Sequence, residues 1–239
     1  MKIEIWSDFV CPFCYIGKRR LELALNEFAH REQVQIEYRS YELDPEAVAN
    51  PNQSVHEYLA NRKGMSVEKA REQNANVAKQ AETVGLTYNF DTMQHTNTFD
   101  AHRVAKYAAT KNLGKEITEK LLQAYFTDSE LISDHDTLKR LATDVGLDGE
   151  EVEDLLETNR FAKRVREDED LATQIGVGGV PFFVFNEKYA ISGAQPKEVF
   201  QEVLEKVWEE ESKKPMLKNL NPEGSKTSYC TGDDCEVDE

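Results

Sequence analysis

Hydrophobic and polar residues alternate over residues 2–6 (KIEIW) and again over 34–43 (VQIEYRSYEL), which predicts two strands. Between them, Pro12 to about Arg31 reads as a helix, with Ile16, Leu21, Leu23, Leu25 and Phe28 on its apolar face. Two strands joined by a helix of this length predict a right-handed βαβ unit with a parallel pair. Asp44-Pro45 opens a break that runs to about Ser54. From there to about Ile175 the pattern is almost wholly helical, with helices expected over 54–63, 66–84, 97–112, 114–126, 134–145, 149–156 and 159–175. Ser54, Ser66 and Asp134 stand at N-cap positions, and Gly85, Gly114 and Gly146 at helix ends. Strand character returns over 182–186 (FFVFN) and 188–192 (KYAIS), the pattern of a hairpin. A last amphipathic helix is expected from about Pro196 to Glu211, with Val199, Phe200, Val203, Leu204 and Val207 on one stripe.

This order predicts an α/β fold. Residues 1–44 and 176–212 would form one discontinuous domain, interrupted by an all-helical insertion over 45–175. Residues 213–239 carry Pro215, Pro222, Gly224 and a run of acids, and read as a flexible tail.

Composition narrows the class of partner. The 239 residues are 39% hydrophobic and 31% charged, a soluble globular balance, and the formal net charge of −16 disfavours nucleic acid and anionic membrane surfaces. The start MKIEIWSDFV has no basic segment followed by an apolar run, and no stretch approaches the ~20 apolar residues of a membrane span. A cytoplasmic location is the expectation. The four cysteines form two local pairs, and in a reducing compartment such pairs suggest redox work or metal binding.

The first pair is Cys11-Pro12-Phe13-Cys14, placed after a strand and at the start of a helix. Helix N-terminal amides and the helix dipole stabilise an anion, so a thiol there ionises more easily. Cys11 is expected at the helix mouth, exposed, as the nucleophile. Cys14 lies one turn inside as the shielded resolving thiol, and Pro12 suits the first helical position. The competing reading is half of a zinc site completed by Cys230 and Cys235. Zinc knuckles usually sit in turns rather than between a strand and a long helix, so no metal is assigned.

The second motif is Gly178-Gly179-Val180-Pro181-Phe182-Phe183, just before a strand. Taken with WSDFVCPFCYIGKRRLE, NTFDAHRVAKYA and LATQIGVGGVPFFVFNEKYAISGAQ, it makes the chain resemble the DsbA family, in particular its FrnE-like branch. The resemblance implies a thioredoxin-like core with a large all-helical insertion, a thiol–disulfide oxidoreductase activity, and a cis Pro181. Val180 would face the cysteines and pair through its backbone with a substrate peptide. Phe13 stands where the best-known periplasmic members have histidine, which implies a less acidic Cys11 and a less oxidising protein. Kappa-type glutathione transferases and hydroxychromene carboxylate isomerases share the architecture. They usually have serine at the position of Cys11, so a glutathione-dependent isomerase or transferase is the alternative. A redox- or zinc-controlled binding module is a third. Expected partners are thiol or disulfide proteins, glutathione as a thiol substrate, or a thioredoxin-type protein; no separate cofactor is called for.

Asp8 and His102 are auxiliary candidates near the dithiol, with Pro12 and Phe13. Asp8 would raise the Cys11 pKa or relay protons. Lys18, Arg19 and Arg20 read as a solvated helix face, and Trp6 and Phe9 as core or rim. In the tail, Asp233, Asp234 and Glu236 flank Cys230 and Cys235 and disfavour their thiolates. That pair is expected to be the more reducing one and to pass electrons to Cys11–Cys14.

Overall fold

The alternating N-terminal segments form one half of a four-stranded sheet, β1 inside and β2 at its edge. Strand β1 (Lys2–Ser7) leads through helix α1 (Pro12–Glu27) and a 3-10 turn (Arg31–Gln33) to β2 (Gln35–Ser40), which pairs with β1 in parallel. Strands β3 (Phe182–Phe185) and β4 (Tyr189–Ser192) form an antiparallel hairpin, and β3 pairs antiparallel with β1. The order across the sheet is β2-β1-β3-β4. In this computed structural model the described residues are 1–48, 53–212, 229–231 and 234–236.

Between β2 and β3 lie seven helices: α2 (Val55–Lys63), α3 (Val67–Glu82), α4 (Phe99–Thr110), α5 (Gly114–Phe126), α6 (His135–Asp144), α7 (Gly149–Glu157) and α8 (Ala162–Gln174). Helix α9 (Lys197–Ser212) follows the hairpin. The fold is a thioredoxin-like α/β core with a large helical insertion. Helix α1 ends about four residues before the expected Arg31, α2, α3, α4, α6 and α8 are one to three residues shorter at one or both ends than their apolar pattern suggests, α5 is as expected, α7 gains a residue and α9 is shifted by one. Polar caps set these ends. The Ser54 hydroxyl accepts from the Glu57 amide while the Glu57 carboxylate accepts from the Ser54 amide, a closed capping box, and Ser66 and Asp134 cap α3 and α6. Gly64 closes α2 in the left-handed region at φ +63°. No helix among the described residues is long and apolar enough to cross a membrane.

Three packed clusters build the core, and two of them hold α1 in place. On one sheet face Ile3, Ile5, Phe183 and Phe185 pack with Leu21 and Ala24 of α1 and with Phe200, Leu204 and Val207 of α9. On the other, Trp6 packs with Ala172 and Val177, next to the partly buried Leu171, Val180 and Phe182. The insertion has its own core, which reaches back to Phe9, Tyr15 and Ile16. Helix α1 is therefore buried against the sheet and against the insertion. This corrects two readings. Leu23 is 42% exposed rather than part of the apolar face. Lys18 is only 3% exposed, not solvated: its ammonium is held by Glu22 of α1 and Glu119 of α5, and Glu119 also pairs with Arg19. Arg20 donates to the Ala194 carbonyl. The charged run is thus a seam between α1 and its neighbours, because the insertion covers what would otherwise be the wet side of the helix.

Candidate active site

The segment Ser7–Cys11 turns the chain from the end of β1 into α1. The Cys11 amide donates to the Asp8 carbonyl at 3.2 Å, and the Cys14 amide to the Cys11 carbonyl at 3.0 Å. Cys11 is the N-cap of α1 in an extended conformation, with Pro12 in the first turn where its missing N–H leaves no gap. Both cysteines are free thiols.

Cys11 is 4% exposed, which corrects the expectation of an exposed nucleophile. The loop before β3 lies over it, and its Sγ sits 3.5 Å from the Val180 carbonyl oxygen. Tyr88 of the insertion donates to the Pro12 carbonyl at 2.7 Å and closes the other side. Phe13, at 40%, is the exposed residue of the motif. The Val180–Pro181 peptide bond is cis.

Cys14 is 2% exposed, and burial pushes its thiol well above the ordinary value, with Cys11 beside it adding to the rise. The Ser7 side chain and the Asp8 amide act in the opposite direction; the Asp8 N–H donates to Cys14 Sγ at 3.5 Å. The two thiols differ in their neighbours: Cys14 Sγ lies against the Asp8 amide, whereas Cys11 Sγ contacts the Val180 carbonyl.

Asp8 does not turn its carboxylate toward Cys11. One oxygen accepts from the Leu43 amide at 2.8 Å, and Oδ1 lies 3.4 Å from Nε2 of His102. His102 is buried on α4 against the Phe9 ring, with centroids 4.7 Å apart. The structure thus brings together Asp8, Cys11, Pro12, Cys14, His102, Val180 and Pro181. Cys230 and Cys235 belong to a separate two-stranded ribbon, β5 (Tyr229–Thr231) and β6 (Asp234–Glu236), in which they are direct cross-strand partners. Cα atoms of such partners lie about 4.5–5.5 Å apart, within the range of a disulfide. The rest of the expected tail, residues 213–228, 232–233 and 237–239, lies outside the described residues.

Gly17 also shapes the site, and it did not stand out in the sequence. A Cβ at Gly17 would lie 3.1 Å from both Phe183 Cζ and Pro181 Cγ, so its absence lets α1 press directly on the Pro181 loop. Gly17→Val is expected to overpack this contact, lowering stability by about 1–3 kcal/mol and slowing turnover, as urea unfolding and a disulfide-reduction assay would show. Gly17→Ala should be close to neutral in stability, since a helix-propensity gain of about 1 kcal/mol opposes the tight contact.

Residues 2–205 match the family description of a DSBA-like thioredoxin domain. The chain is 29% identical over 207 residues to an uncharacterized protein of Bacillus subtilis (strain 168), YwbO, covering 84% of this chain and 94% of that one. The crystal structure of a probable DsbA oxidoreductase from Streptomyces coelicolor superposes with a TM-score of 0.87 at 38% identity, over 100% of both chains. A 2-hydroxychromene-2-carboxylate isomerase superposes with a TM-score of 0.68 at 16% identity, over 89% of this chain and 98% of that one, a likeness of fold.

Proposed function

The chain belongs to the DSBA-like thioredoxin domain family, and on that premise we propose that it is a dithiol oxidoreductase that exchanges disulfides with protein or small thiol substrates through Cys11 and Cys14. The observation that carries this reading is the pair of adjacent free thiols at the start of α1, with Cys11 Sγ 3.5 Å from the Val180 carbonyl oxygen of the cis-proline loop. The Cys11 thiolate attacks one sulfur of a substrate disulfide, breaking the S–S bond; a mixed disulfide forms and the other sulfur leaves as a thiolate. Cys14 then attacks Cys11 Sγ, the substrate thiolate leaves, and two electrons have passed from the dithiol to the substrate. Run backwards, the same steps oxidise a substrate dithiol. The Val180–Pro181 segment supplies backbone groups beside Cys11 for an extended partner. The motif WSDFVCPFCYIGKRRLE supports placement in the FrnE-like branch. The facing positions of Cys230 and Cys235 support a second dithiol that reloads the first.

The reading is tested by the order of labelling. In the reduced protein at neutral pH, Cys11 is expected to be alkylated well before Cys14, as peptide mapping after timed iodoacetamide treatment would show. Equal rates, or faster labelling of Cys14, would overturn the assignment of roles.

A further inference from the structure

A cavity of about 680 Å³ lies between β2 and helices α4, α5 and α8 of the insertion, a size that accepts a small organic molecule. None of Cys11, Cys14, Val180 and Pro181 lines it, so it is distinct from the dithiol site. In its lining Phe9 and His102 are buried, Ile36, Ala105 and Leu171 are partly buried, and Lys115 and Arg164 are exposed. The cavity thus combines an apolar interior with a charged rim.

The charges around the cavity are matched, with two exceptions. Arg39 is held by Glu37 and Asp168, Lys106 by Asp168, and Glu167 by Lys163. Arg164 and Lys115 make no hydrogen bond, ion pair or ring contact among the described residues, and Arg164 is the one arginine there of which this is true. On a chain of net charge −16, two unmatched cations at one opening reverse the local sign. The start of α5 adds to this. Gly114 and Lys115 of its first turn line the cavity, no side chain caps the free amides there, and Glu116 of the same turn is not in the lining. Deeper in, His102 Nε2 lies 3.4 Å from Asp8 Oδ1 and has no hydrogen-bond partner among the described residues. Buried polar atoms are paired in the great majority of proteins, so one left open in a cavity wall points to a ligand.

We propose that this cavity is a second binding site, for a small organic dianion with an apolar body, in its simplest form a dicarboxylic acid. One carboxylate pairs with Arg164, whose planar fork matches its two oxygens, and the other with Lys115 and the free amides of α5. The body of the molecule lies against Ile36, Ala105 and Leu171, and a hydroxyl on it would meet His102 Nε2. A cationic molecule of the same shape would meet two like charges at the rim. An inorganic anion would satisfy the two cations and leave the apolar wall uncovered. The occupant touches neither sulfur, so the proposal stands apart from the dithiol chemistry.

The test titrates reduced full-length protein with suberate, phthalate, octamethylenediamine and sulfate at millimolar concentration and follows its backbone amide resonances. At least one of the two diacids should bind and shift the amides of Ser40, Ala105 and Leu171, which surround the cavity. Arg164→Ala and Lys115→Ala should each weaken that binding by about tenfold, the lower end of what a hydrogen bond to a charged group contributes. Both side chains are exposed and unpaired, so neither substitution should change the urea midpoint, and the loss reads binding alone. The proposal is overturned if neither diacid binds, if the diamine binds as well as they do, or if Arg164→Ala and Lys115→Ala bind like the wild type. Sulfate binding as tightly as the diacids, or shifts confined to Arg164 and Lys115, would mean an adventitious ion only and would overturn it too.

Discussion

Cys14→Ser is expected to stop turnover while leaving the first attack intact, so that the protein accumulates as a covalent adduct with its substrate. Serine at this position still fits the enclosed space beside Ser7 and the Asp8 amide. Its hydroxyl does not ionise at neutral pH and does not displace a sulfur. The mixed disulfide on Cys11 then has no internal route to resolution, and its life is set by external thiols. Cys11→Ser should remove the reaction altogether and yield no adduct, a loss in turnover on the order of a thousandfold or more. Non-reducing electrophoresis and intact mass spectrometry after mixing with a disulfide protein read both outcomes. A glutathione-dependent isomerase would need only Cys11, so full activity in Cys14→Ser, with no adduct, would sink the dithiol mechanism.

The largest loss of stability is expected at Asp168. This carboxylate is 3% exposed on α8 and faces the end of the sheet. It accepts from Arg39 Nη1 at 2.9 Å and from the Ser40 amide at 2.8 Å, and it pairs with the Lys106 ammonium. The Asp168 carbonyl accepts from the Trp6 indole at 2.9 Å. One residue thus ties the insertion to β1, β2 and α4. Arg39 retains Glu4 and Glu37, but Lys106 retains only the Tyr38 carbonyl among the partners seen here. Burial already holds the Lys106 pKa down, with Asp168 opposing that fall. Asp168→Ala would leave this buried cation and the Ser40 N–H without their partner, at a cost of about 3–5 kcal/mol. Glu153→Ala, which breaks an exposed pair with Lys139, should leave the unfolding midpoint nearly unchanged. Urea unfolding of the two variants compares them directly; equal midpoints would refute the role given to Asp168.

The fold class was legible because its signals are local. Period-two alternation in KIEIW, the 3.6-residue stripe of α9 and the serine and aspartate caps each act within a few residues of chain. The motif Cys11-Pro12-Phe13-Cys14 was legible for the same reason: a proline in the first turn fixes where α1 begins, and three residues carry Cys14 one turn inward. Other features have no local mark. Asp168 stands in the charged run VREDEDLA, where nothing separates it from Glu167 or Glu169. Lys18 looks like any solvated lysine until Glu119, 101 residues away, meets it. Gly17 is an ordinary helix glycine until Phe183 and Pro181 crowd against it.

By itself, then, the sequence determined the order of the elements, the parallel βαβ start, the helix-capped dithiol and the proline loop that follows the insertion. Tertiary structure alone decided that Cys11 is buried beneath the Val180 carbonyl, that Tyr88 of the insertion is tied to the Pro12 carbonyl, and that the carboxylate of Asp8 points to His102 rather than to Cys11. The physical reason is range. Backbone periodicity and capping are settled by neighbours in the chain, whereas the burial and charge state of a side chain depend on what the rest of the chain lays over it, and in this protein most of that cover comes from a helical insertion far away in sequence.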